Sequence, residues 1–128
     1  MALPTLGEGL RMPFGQFWPI YLDAHRQSRT RACHYVATVF GMVTSALAAV
    51  QGEPWIMVAG IAAAVCLAVG SHKAIEGNKP LIGVNPFYGA IADVKMCWLA
   101  LRGMLPAEYV RLGLRPLSVA AVPATDKV

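Results

Sequence analysis

Two apolar runs without a single charge constrain this chain more than any other feature. Residues 32–50 hold only His34 and mild hydroxyl side chains among their apolar residues, and Pro54–Ser71 is apolar almost throughout. Each run approaches the roughly 20 residues that cross a hydrocarbon core of about 30 Å at about 1.5 Å per residue. Only Gln51, Gly52 and Glu53 separate them. Glycine ends a helix well and proline starts one well, so Gly52 and Pro54 predict a tight helical hairpin. Both arms are rich in Ala and Gly, which lets helix backbones approach closely in lipid.

The cations agree with a membrane hairpin. All eleven Lys and Arg lie outside it: Arg11, Arg26, Arg29 and Arg31 precede it and the other seven follow. The positive-inside rule then puts both termini in the cytoplasm and the turn on the far side. Charged residues are 14% of the chain, against roughly 25% in an ordinary soluble domain. That excludes a disordered chain or a coiled coil. The competing reading is a very apolar soluble helical bundle.

The net charge is +4. Nucleic-acid binding would need Lys and Arg arrayed along a face or interleaved with aromatics, and neither pattern is present, so no nucleic-acid partner is expected. Cys33, Cys66 and Cys97 form no C-x-x-C pair, which excludes a disulfide framework or zinc knuckle. The first residues lack the apolar stretch of a signal peptide.

The expected organisation is a short tail (residues 1–13), one membrane helical domain (14–105), and a short helix with a loose tail (106–128). Before the hairpin, Phe14, Phe17, Trp18 and Tyr21 recur at helical spacing, suited either to the membrane–water interface or to a core. Ser28 or Thr30 is placed to cap the first long helix. Gly77, Pro80, Gly83 and Pro86 mark a loop. Residues 87–102 then predict an amphipathic helix with Phe87, Ile91, Val94, Trp98 and Leu101 on one face, lying along the interface. The fold class is therefore all-α: two transmembrane helices flanked by interfacial amphipathic helices.

The chain has three histidines, His25, His34 and His72. His34 and His72 stand at nearly equal distances from the Gly52 turn, so an antiparallel hairpin brings them to one level. His25 is nine residues before His34, half a turn out of phase in an unbroken helix. A break near residues 27–30 lets it fold back. Glu76, four residues after His72, shares its face if the helix continues. Three imidazoles and a carboxylate suit a first-row metal with open positions, as in non-haem Fe(II) sites, and zinc with three His is equally compatible. Glu76 is a candidate ligand, or an orienting partner of a ligand.

These residues resemble a known family. Phe17-Trp18-x-x-Tyr21-x-x-x-His25, then His34, then Gly70-x-His72-x-x-x-Glu76-Gly77-Asn78-Lys79-Pro80, is similar to the domain of unknown function 962 family. That family includes the yeast 2-hydroxy fatty acid dioxygenase, and this chain resembles its compact bacterial-type branch. The likeness continues through Asn85-Pro86-Phe87-Tyr88 and Asp93-x-x-Met96-x-Trp98. It implies Fe(II)-dependent α-oxidation, in which a 2-hydroxy fatty acid and O₂ give an acid one carbon shorter. It implies His25, His34 and His72 as iron ligands. Lys79 or Arg26 would meet the substrate carboxylate. The alternatives are a zinc hydrolase, or a non-enzymatic lipid-binding or interaction module with structural histidines. A homo-oligomer is compatible with such a hairpin.

Overall fold

A computed structural model describes residues 2–115; the tail expected to be loose lies, beyond residue 115, outside the described residues. The described residues are helical, with no strand among them. The helices are α1 (Leu6–Gly9), α2 (Phe14–Asp23), α3 (Ser28–Gln51), α4 (Pro54–Ser71), α5 (Pro86–Leu101) and α6 (Leu105–Arg111). A π-helical turn at His72–Glu76 extends α4, and a 3₁₀ turn at Leu81–Gly83 precedes α5.

The hairpin forms as its turn residues dictate. Gly52 ends α3 in the left-handed region, at φ 70°, where a side chain is disfavoured, and Pro54 opens α4. The arms approach closely at Gly60, where an added Cβ would come 2.0 Å from the Thr44 hydroxyl oxygen. Ser28–Gln51 and Pro54–Glu76 are both long and apolar enough to cross a membrane. Their most apolar windows are only 17% and 11% buried, so the hydrophobic surface faces outward, unlike the core helix of a soluble protein.

The core sits at the open end of the hairpin. Phe17, Trp18, Tyr21 and Leu22 of α2 pack with Ala92 and Met96 of α5, Leu105 and Tyr109 of α6, and Leu81 and Val84 between them. The aromatic stripe of α2 is thus core. Stacking organises it: Trp18 lies parallel to Tyr21 at 5.9 Å, and Lys95 Nζ stands 4.2 Å over the Trp18 ring. The Trp18 indole N–H donates to Glu108 at 2.7 Å, tying α6 to α2.

Helix α5 is amphipathic in the expected register. Phe87, Ile91, Val94, Trp98 and Leu101 stay exposed, while Ala92 and Met96 turn inward. The N-cap of α3 differs from expectation. Neither Ser28 nor Thr30 caps it; Gln27 stands there, and its backbone N–H donates to Glu76 Oε1 at 2.7 Å. A side chain from the π-helical turn thus anchors the N-cap residue of α3, with no side-chain cap on the helix's first turn.

Candidate metal centre

Each histidine reaches the centre by a different backbone device. His34 projects from the second turn of α3, and His72 from the end of α4, at one level as equal arms require. His25 follows the end of α2, where the chain breaks between Ala24 and Gln27. That break is pinned from several sides. The Tyr109 hydroxyl donates to the His25 carbonyl at 2.6 Å, and Arg31 donates to the carbonyls of His25 (3.0 Å) and Arg26 (2.6 Å). Asn78 Nδ2 donates to the Ala24 carbonyl at 3.0 Å.

The three side chains converge. His25 Nε2 lies 3.2 Å from His34 Nε2 and 3.0 Å from His72 Nε2. All three residues are buried, at 0%, 5% and 1% exposure for His25, His34 and His72. Every outward ring nitrogen already has a partner. His25 Nδ1 meets the Tyr21 carbonyl at 2.6 Å, His34 Nδ1 meets Asp93 Oδ1 at 2.6 Å, and His72 Nδ1 meets Asn78 Oδ1 at 2.8 Å.

These partners determine the protons. A carbonyl and an ionised carboxylate only accept, and Asn78 presents its oxygen because its amide nitrogen is held by Ala24. Each neutral imidazole therefore carries its proton on Nδ1. The Nε2 of His25 then faces those of His34 and His72 at 3.2 and 3.0 Å with no proton between them, and the three ligand atoms lie within 4.8 Å of one another. Packed alone, that arrangement is repulsive. A cation held by His25, His34 and His72 would relieve it. Burial, together with the neighbouring His34, pushes His25 well below the usual histidine range and keeps it neutral, the form that ligates.

Asp93 enters the sequence reading only as part of the family-like Asp93-x-x-Met96-x-Trp98 stretch, with no role at the histidines. It joins the centre by accepting from both His34 and the Tyr21 hydroxyl. Burial, with the Asp93 carboxylate beside it, raises Tyr21 well above the ordinary phenol range, so its hydroxyl stays a donor. Asn78, part of the family-like motif but given no role by the sequence, orients His72.

The other expected site residues lie elsewhere. Glu76, in the π-helical turn, stands outside the three-histidine cluster and accepts from the Gln27 N–H. Arg26 is spent on the Arg115 carbonyl at 3.0 Å and stands 3.8 Å from Asp23. Lys79 is exposed and borders a separate hollow beside residues 2–5. Neither cation lines the cavity of about 120 Å³ at the histidines, which is walled by Tyr21, Asp93, Val65, Ala68 and residues of the Pro80–Pro86 loop.

A family model for 2-hydroxy-palmitic acid dioxygenase Mpo1-like proteins matches residues 12–105. The chain belongs to that family. The matched span takes in all three histidines, Asn78 and Asp93 of this Mpo1-like chain. No curated protein and no solved structure matches it.

Proposed function

We propose that this Mpo1-like chain is a membrane dioxygenase that holds Fe(II) on His25, His34 and His72 and shortens a 2-hydroxy fatty acid by one carbon. The observation that carries this reading is the set of three buried imidazoles whose ligand atoms lie within 4.8 Å of one another, each with its Nδ1 facing an oxygen. The family name supports the substrate class.

Bound there, Fe(II) would supply open positions for O₂ and for the substrate's hydroxyl and carboxylate. The chain's own residues set the site. Asp93, Asn78 and the Tyr21 carbonyl fix the histidine tautomers and ring orientations. Tyr21 stacks on His25 at 4.1 Å between ring centres and closes one side of the cavity. Among the described residues no Lys or Arg lines that cavity, so a divalent metal would be the cation there for a substrate carboxylate. Asp93, behind His34, and that carboxylate would place acidic groups beside a bound metal. Oxidation of a 2-hydroxy acid to the shorter acid and CO₂ releases four electrons, which one O₂ accepts without a further reductant.

The hairpin belongs in the bilayer on this reading, with both termini cytoplasmic. Its outward apolar surface supports that placement, as does the exposed Phe87–Trp98 face of α5 at the level of the interface. The test is O₂ uptake by the iron-loaded protein with 2-hydroxy fatty acids. One O₂ consumed per acid shortened by one carbon is expected; no uptake across acids of graded length contradicts the reading.

A further inference from the structure

The cavity at the histidines does not end there. It shares Val65, Ala68, Ala90 and Asp93 with a groove of about 420 Å³ between α3 and α4, bordered by α5. That groove in turn shares Ser45 with a third hollow of about 350 Å³ that reaches Gly52 and Pro54. One path therefore runs from the metal centre to the hairpin turn.

Helical phase explains the continuity. On α3 the stripe descending from His34 passes through Thr38, Gly41, Ser45 and Ala48, at steps of three and four residues. On α4 the stripe from His72 returns through Ala68, Val65, Ile61 and Met57. The two histidines head the two walls. Small residues give the groove its depth: an added Cβ at Gly41 would meet only the Ala64 Cβ, at 3.6 Å. The Ser45 hydroxyl is satisfied by the Gly41 carbonyl at 2.7 Å, so it offers a ligand little unpaired polarity.

We propose that this groove holds the acyl chain of the substrate, with the 2-hydroxy acid head at the histidines and the methyl end pointing toward Gly52. The proposal rests on the reading of the histidines as a 2-hydroxy acid site. From Ala37 to Ser45 the wall is about 12 Å long, and to Gly52 about 22 Å, at the helical rise. One leaflet of acyl chains spans about 15 Å, half the hydrocarbon core. The groove is open along one side, so a chain can slide in from the bilayer without leaving apolar surroundings. Its join to the histidine cavity favours the substrate's own tail over a second copy of this chain or a passing lipid.

The test uses the full chain in phosphocholine nanodiscs, loaded with Fe(II) without oxygen, and a 2-hydroxypalmitic acid carrying a diazirine at its methyl end. Cross-links at Met42, Ser45 and Ile61, displaced by unlabelled 2-hydroxypalmitic acid, are expected. Met42→Trp, at a position 60% exposed and therefore tolerant of bulk, should cut the displaceable cross-links at least tenfold with iron content unchanged. Gly41→Leu should do the same from the groove floor. Cross-links spread over the outer Val39, Val43 and Val58 and not displaced would overturn the proposal. So would a disulfide between two copies through Ser45→Cys. Displaceable groove cross-links without O₂ uptake would retain the groove and remove the dioxygenase reading. O₂ uptake without them would do the reverse.

Discussion

His34 and Asp93, fifty-nine residues apart in the chain, meet at 2.6 Å between Nδ1 and Oδ1. The contact joins α3 to α5 and leaves His34 Nε2 free to face His25. It predicts that Asp93→Ala lowers metal affinity about 10–100-fold, the usual cost of removing a carboxylate behind a ligating histidine. Metal titration read beside circular dichroism checks this. Unchanged affinity in a folded variant would sink the role assigned to Asp93.

Asn78 does for His72 what Asp93 does for His34, with a neutral acceptor. Asn78→Ala should weaken metal binding and also loosen the Ala24–Gln27 break, because its Nδ2 holds the Ala24 carbonyl. Amide exchange at His25 and Gln27 should quicken in this variant. Identical protection in both proteins would contradict the link between the loop and the break.

Gly60 lets the hairpin arms approach closely beside Thr44. Gly60→Val forces a side chain into Thr44 and should cost about 1–3 kcal/mol, as overpacking does. Thr44→Gly in the same chain should recover much of the loss. Thermal unfolding in detergent reads both, and a double variant no more stable than Gly60→Val would count against a direct clash.

Glu108 gives the pH dependence. Arg111 and the Trp18 indole hold its carboxylate, and its pKa is lowered from 4.5 to about 2. Because the folded value is the lower one, the contribution is full above about 4.5 and fades as pH falls toward 2. Stability should therefore drop across that window in the wild type. Glu108→Gln should lose part of that drop, and parallel curves for the two proteins would show that the Glu108 contacts contribute nothing.

Much of the arrangement was legible in the sequence, and the reasons are physical. Equal arms about a Gly–Pro turn place His34 and His72 at one level whatever else happens. The need for a break before α3 followed from the half-turn phase of His25. The partners of the histidines were not legible. Asp93 stands in the family-like stretch of α5, but its role was hidden because only the docking of α5 on α2 and α3 brings it to His34. Asn78 and Glu76 act through a π-helical turn that no local pattern announces. The expected carboxylate cations, Lys79 and Arg26, rest on the family resemblance, Lys79 through its place before Pro80 in the motif, and neither lines the cavity.

The central claim is that the three convergent imidazoles hold iron. The direct measurement is elemental analysis of protein purified without oxygen in mild detergent, beside the variant His25→Ala/His34→Ala/His72→Ala. Roughly one iron per chain, lost in the variant, is predicted for a single three-histidine site. Zinc in its place would contradict the iron assignment, and no metal in either protein after addition of Fe(II) would contradict the site itself.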